Sequence, residues 1–301
     1  MNATAPVRTD PYRRAPEAHP DPHPQAAAPG LCPQRSRGRA HVALASRGGR
    51  TVLTGLVQQG SARAIFLSAP PGGAAEAVFL NTSGGLTGGD RLSLSLDLAA
   101  DCRATGTTQT AERGYRAEAG TATVCVHHRL GRGAHLDWLP QETILYDGSA
   151  VARSTRIDLE PGASCLMLEA VVLGRAAMGE RVRSLCFGDS RTITRAGHPV
   201  LVEPLRLDGA ALSAGAAVLG GARAFASLAM VGAGAEAAVT GVRAELDEPG
   251  VTAGASGFDG RLTVRMMAAE GWPLRRQIMR LLRRLRPGPL PRVWQMAGGP
   301  A

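Results

Sequence analysis

Residues 91–98 read RLSLSLDL. Leu92, Leu94, Leu96 and Leu98 fall on one side of an extended chain and Ser93, Ser95 and Asp97 on the other, because successive side chains of a strand point to opposite faces. The alternation predicts a strand with one buried face. The same period recurs at 122–130, where Val124, Val126, His128 and Leu130 share a face and Cys125, His127 and Arg129 take the other. Residues 164–173, SCLMLEAVVL, are nearly all apolar and predict a strand covered on both faces. Further strand-like runs lie at 51–58, 76–80, 152–159, 181–195, 199–207, 224–231, 237–246 and 260–267, most of them punctuated by Gly, Pro or Asp. Closely spaced strands with few helices predict a mostly β body. No repeat of fixed period is visible, so neither a propeller nor a leucine-rich solenoid is expected.

Around these runs the 301-residue chain is 44% hydrophobic but only 4% aromatic, with 38 glycines and 20 prolines. That balance favours short elements joined by many turns. No lysine occurs, so all 34 basic residues are arginine. This excludes P-loop chemistry, which places a Lys on the nucleotide phosphates, and pyridoxal or Schiff-base chemistry, which needs a Lys amine. Five scattered cysteines without a CxxC pair, and no signal peptide, predict a cytoplasmic protein. No stretch is apolar enough to predict a membrane span.

The formal net charge of +9 is uneven: residues 1–38 carry +2 and residues 271–286 carry +6, leaving about +1 for the rest. Residues 1–38 hold eight of the prolines, lack an apolar period and are expected to be a disordered tail, in which His19 and His23 are a weak metal-binding possibility. Residues 39–301 are expected to form a single β-rich domain. One helix is clear within it. Residues 272–286, WPLRRQIMRLLRRLR, place Leu274, Ile278, Leu281, Leu282 and Leu285 on one stripe and six arginines elsewhere. It is expected to dock on the β core with a solvated basic face. The alternative is a binding module that uses this helix to hold RNA or an acidic membrane surface.

Standard catalytic signatures are missing: no HExxH, GxSxG or zinc spacing occurs. A GxGxxA at Gly232, Gly234 and Ala237 has little room for a phosphate-binding helix after it. The informative region is 80–180. It opens with NTSGGLTGGDR at 81–91, where Gly84, Gly85, Gly88 and Gly89 fit a tight turn or a nest of backbone N–H groups. Thr107-Thr108 and Tyr115-Arg116 follow, then HLDWLPQETILYDG at 135–148, then LEAVVLGR at 168–175 and Gly179-Glu180.

This ordered set resembles the urease accessory protein UreD (UreH) family, over about residues 40–297. The resemblance implies a non-enzymatic assembly factor that binds apo-urease and a UreF-type protein, which recruits a UreG-type GTPase. It implies stacked β-sheet layers, β-helix-like, with one or two helices including the Arg-rich one near the C-terminus. It also implies an interior path that carries nickel toward the urease active site. No permanently bound cofactor is expected, only transient nickel, and neither nucleic acid nor membrane is an expected partner.

Nickel takes imidazole, thiolate and carboxylate ligands, and a conduit must hold it weakly. Asp90, Glu142 and Glu169 are the candidates for such a path, each lying within a family segment. Glu169 stands out because it interrupts an otherwise apolar strand; a structural alternative is an ion pair with an Arg such as Arg175. Glu180 fits the family segment and also fits a surface acid. His127, His128, His135 and Cys125 are the densest local set of soft ligands but are expected at the surface. Arg116 and Trp138 are expected to be structural or to anchor a partner.

Overall fold

The alternating stretch at 91–98 is a strand in the computed structural model, which describes residues 34–69 and 74–295. The predicted tail as far as residue 33, with His19 and His23, lies outside the described residues, and the first strand begins at Arg37. In chain order the strands are β1 (Arg37–Arg47), β2 (Arg50–Gly60), β3 (Ala62–Leu67), β4 (Ala75–Asn81), β5 (Arg91–Leu98), β6 (Arg103–Thr108), β7 (Glu112–Gly114), β8 (Ala122–Leu130) and β9 (His135–Trp138). They continue with β10 (Thr143–Leu145), β11 (Ser149–Leu159), β12 (Ser164–Leu173), β13 (Leu185–Arg195), β14 (His198–Asp208), β15 (Ala224–Val231), β16 (Val251–Phe258) and β17 (Arg261–Ala268). The α-helices are α1 (Gly209–Ser213), α2 (Ala238–Ala244), α3 (Gly271–Leu285) and α4 (Arg292–Gln295).

Two sheets stack. The first runs β14-β13-β11-β8-β5-β1-β2 and the second β16-β17-β15-β12-β9-β6-β4-β3, with β10 and β7 continuing sideways from β12. Between β4 and β13 the chain passes repeatedly from one sheet to the other. Each pass lies parallel to the preceding one in its sheet: β5, β8, β11 and β13 in the first, and β4, β6, β9 and β12 in the second. This is the winding of a β-solenoid, the layered arrangement that the family resemblance implies. Antiparallel partners finish both sheets, β2 and β14 in the first, and β3 with β15, β17 and β16 in the second.

Parallel strands need cover on both faces, and β12 shows how the second sheet obtains it. Its Met167, Glu169 and Val171 alternate with Leu166, Leu168 and Ala170, and all six are buried. Met167 and Val171 join the core between the sheets, with Leu96, Leu130, Ile157 and Phe79. Leu166, Leu168 and Ala170 join a second core under α3 and α4, with Leu274, Ile278, Leu281 and Trp294. The space between the sheets is tight. A Cβ on Gly106 would lie 2.6 Å from Leu96 and 2.8 Å from the Trp138 ring, so only glycine leaves room for Trp138.

Two sequence expectations change here. The run at 237–246 is not a strand: it contains α2, whose Val242 is buried against the second core. Ala, Gly and Val in short alternation leave helix and strand periods indistinguishable. The seven-residue α2 is too short for a phosphate-binding helix, and β15 lies antiparallel to both of its sheet neighbours, β12 and β17, so the GxGxxA at Gly232 is not a dinucleotide fingerprint. Strands β1, β3, β6, β7, β9, β10 and β16, absent from the sequence-predicted runs, are present.

The basic face of α3 is solvated only in part: Arg276, Arg283 and Arg284 are exposed, Arg275 and Arg280 half-buried and Arg286 buried. Arg275 bonds to Gln141 and Glu142 and stacks on Trp294. Arg276 and Arg280 pair with Glu245, Asp247 and Glu248 in the loop that follows α2. Arg286, just past the helix, is buried, with Nε 2.6 Å from Asp137 and Nη2 3.1 Å from the Thr105 hydroxyl. Arg283 and Arg284 are left exposed. Among the described residues no helix is long and apolar enough to cross a membrane.

Candidate functional site

Strand register builds a line of charges between the sheets. Across the first sheet one inward row reads Leu92, Val124, Arg153, Asp189, and the next reads Leu94, Val126, Thr155, Arg191, Glu203. Both rows turn from apolar to polar at β11, and both carry a charge on β13. On the facing sheet Glu169, Ser227 and Arg265 stand in register on β12, β15 and β17. The side chains connect in sequence. Glu169 lies 2.7 Å from Arg153, which grips Asp189 with two hydrogen bonds of 2.8 and 3.0 Å. Arg191 lies 3.5 Å from both Asp189 and Glu203, and Glu203 meets Arg265 at 2.7 Å. The ladder alternates in sign, is neutral in sum, and runs from the buried Glu169 to Arg265, whose side chain is 76% exposed.

Burying these charges is costly unless each is paired, and the members of the ladder meet that cost differently. The Glu169 carboxylate also accepts from the Trp138 indole at 3.2 Å and the Thr155 hydroxyl at 3.0 Å. Burial nevertheless pushes its pKa up, against the opposing charge of Arg153. Asp189 feels the same burial, but Arg153 outweighs it and holds its pKa below the usual carboxylate range. Arg191 is the loosest member: its Nε is buried without a hydrogen-bond partner. It lines a cavity of about 180 Å³ shared with Arg153, Glu169, Asp189 and Arg265.

Beside this ladder sits His128, fully buried in the row Val42, Leu96, His128, Ile157, Ile193. It packs on Trp138 with ring centroids 4.4 Å apart. The Leu96 N–H donates to Nδ1, so the neutral ring carries its proton on Nε2, which has no partner. Burial, assisted by the His127 charge, brings its pKa down to about 3. A ring held this way offers nickel no lone pair. The expectation of a surface histidine fails for His128, while His127 and His135 are partly exposed and bond to Asp158 and Asp137.

The glycine-rich segment forms a turn whose donors are used internally. Asp90 is buried and accepts from the Ser36 N–H at 2.7 Å and the Thr87 N–H at 2.8 Å. The Leu86 N–H goes to the Arg113 carbonyl. Gly84 and Gly85 face Tyr115, whose hydroxyl donates to the Gly84 carbonyl, and a Cβ on Gly85 would lie 2.3 Å from its ring. Gly88 and Gly89 complete the turn, where a Cβ on Gly88 would collide with the Ala119 carbonyl.

Tyr115 brings the glycine turn to the other motif segments. Its ring meets Tyr146 edge to face at 5.1 Å, and Arg175 stacks on Tyr146 at 4.4 Å. Arg116 pairs with Asp147 at 2.9 Å and Arg175 with Glu180 at 2.8 Å. Residues from three separated segments, 115–116, 146–147 and 175–183, thus share one surface hollow.

The matching family model is described as UreD urease accessory protein and spans residues 36–295. The chain belongs to this family. A Cereibacter sphaeroides (strain ATCC 17025) protein named urease accessory protein UreD is 61% identical over 266 residues, covering 88% of this chain and 96% of its own length. A protein of that name from Paracoccus denitrificans is 52% identical, covering 87% and 93%. One from Rhizobium leguminosarum bv. trifolii is 46% identical, covering 90% and 99%.

Within this UreD fold the three acids singled out from sequence do not meet. Glu169 faces the space between the sheets, paired with Arg153 and not with Arg175. Asp90 ties its own turn to the start of β1. Glu142 lies on the helix side of the second sheet, against Arg275. Trp138 is core, and Arg116 is exposed on the motif surface. Among the described residues no three His, Cys, Asp or Glu side chains come together as a metal cluster. Sequence reasoning missed Arg153, Asp189, Arg191 and Glu203. Their signal is a charged residue at an inward position of an alternating strand, as at Val151, Arg153, Thr155, Ile157.

Proposed function

We propose that this chain is a maturation scaffold for urease. It binds apo-urease in the cytoplasm together with a UreF-type protein, through which a UreG-type GTPase joins. Its polar interior gives nickel, the cargo, a route toward the urease active site. The chain performs no chemistry of its own, and GTP hydrolysis belongs to the partner. Family membership and the names of the relatives support the maturation role.

The interior route rests on one observation, the alternating charge ladder from Glu169 to Arg265 beside a cavity of about 180 Å³. A divalent ion entering a protein needs oxygen ligands at intervals and water for the rest of its shell. The cavity has room for about six waters. Glu169, Asp189 and Glu203 supply the oxygens, each already engaged by an arginine. A cation therefore competes for every carboxylate and is held weakly, as a conduit requires. Asp90 and Glu142 face other compartments and are left out of this route. The paired arginines of α3 count against the RNA or membrane alternative, because most of that charge is neutralised within the chain.

The test is nickel per urease active site in cells carrying urease and all accessory genes. Removing this gene should collapse nickel content, and restoring it should recover the content. Glu169→Gln keeps the side-chain volume and should lower nickel loading several-fold while the complex assembles in normal amount. Full loading with Glu169→Gln would refute the interior route. Full loading without the gene would refute the maturation role itself.

A further inference from the structure

The hollow that gathers the motif segments lies apart from the charge ladder, which shares none of its residues. It measures about 650 Å³ and holds four arginines (Arg116, Arg175, Arg181 and Arg183) against two acids. Both acids are already engaged. Asp147 accepts the backbone N–H groups of Arg183 and Ser184 and pairs with Arg116, while Glu180 accepts from Arg175 and from the Asp147 N–H. The side chains of Arg181 and Arg183 are exposed and, among the described residues, have no acidic partner. Arg116 spends one of its donors on Asp147.

The apolar part is as unusual as the charge. Met178 stands 73% exposed on a short 3₁₀ turn at Ala176–Met178, and Tyr115 is 39% exposed. Arg, Tyr and Met are the residue types enriched where proteins bind one another. Arg175 is fixed beforehand by its stack on Tyr146 and its pair with Glu180. Groups held in place before binding lose less entropy on binding.

We propose that this hollow is the docking site for an acidic segment of a partner protein in the maturation complex. The segment's carboxylates meet Arg116, Arg181 and Arg183, and one apolar side chain packs on Tyr115 and Met178. This rests on the maturation role proposed above. The charge excess of the hollow selects an acidic occupant. A nucleic acid would instead need a basic stripe several phosphates long, and the nearby acids Asp147 and Glu180 interrupt one.

The test uses the purified full chain with purified apo-urease and, separately, the purified UreF-type protein, with affinities measured by biolayer interferometry at two salt concentrations. The double variant Arg181→Glu/Arg183→Glu changes exposed side chains only. It should weaken binding of one of the two partners by about tenfold or more, with the larger loss at low salt. Glu169→Gln should bind both partners as the parent does. A photo-crosslinking residue in place of Met178 should attach to a net-negative segment of that partner, and an acid-to-Arg change there should restore affinity for the double variant. Unchanged affinity of the double variant for both partners would overturn the proposal. So would crosslinks to a segment without acids, or to nucleic acid. A docking failure with intact gene dependence of nickel loading would leave the maturation role standing, so the two outcomes are separable.

Discussion

His128 titration gives a sharp test of the interior. The ring has no exposed surface, and its pKa lies at about 3 in the folded chain against 6.5 unperturbed. Between those values the unfolded chain binds a proton that the folded chain refuses. Stability then rises with pH by about 1.4 kcal/mol per unit and is lost as pH falls through 6.5. From pH 6.5 to 5.0 the loss is about 2 kcal/mol from this one residue. The perturbation is His128→Asn, which does not titrate and keeps an oxygen acceptor for the Leu96 N–H. Urea unfolding of both proteins, followed by tryptophan fluorescence at pH 7.5, 6.0 and 5.0, gives two stability curves. The parent should lose about 2 kcal/mol more than the variant over this range, whatever their absolute stabilities. Contributions from His41, His135 and His198, which do not act on His128, cancel in the difference. Parallel curves would refute the buried, neutral imidazole and reopen His128 as a nickel ligand.

Two further variants test the packing that holds the ladder in place. Gly106→Ala should cost about 1–3 kcal/mol in urea unfolding, because the new methyl meets Leu96 and Trp138 at under 3 Å; a neutral result would mean that Trp138 has room to move. Arg286→Met should cost about 3–5 kcal/mol by leaving Asp137 buried with only His135 beside it. Hydrogen exchange should show α3 losing protection before the sheets, and uniform loss across the chain would contradict a local role.

Alternation made the core strands legible. Leu92 to Leu98 and the two-faced run around Glu169 land where the pattern puts them, because burial of one or both faces acts directly on residue type. Gly254 and Gly257 dilute β16, and α2 is too short for its period to declare itself. Glu169 was conspicuous as a charge in an apolar run. Its partner was not, because Arg153 comes close through two sheets stacking and not through sequence spacing. The pairing of α3 was half visible: the acids at 245–248 stand ready in the sequence, but nothing local says that the helix returns to them. The motif hollow was visible only as names in order, and its convergence is a property of the winding.

That winding also bears on how the chain is made. Each central strand pairs with the strand laid down one turn earlier, so the ribosome delivers turns in the order in which they stack. The clasp of Arg286 on Asp137 and Thr105 joins residues 149 and 181 positions apart, and it can close only after residue 286 has been made. Until then the outer face of the second sheet, with Leu166, Leu168 and Leu228, stands uncovered. Helix α3 is therefore the cover of that face, and a nascent or truncated chain that lacks it would present chaperones with a broad apolar surface.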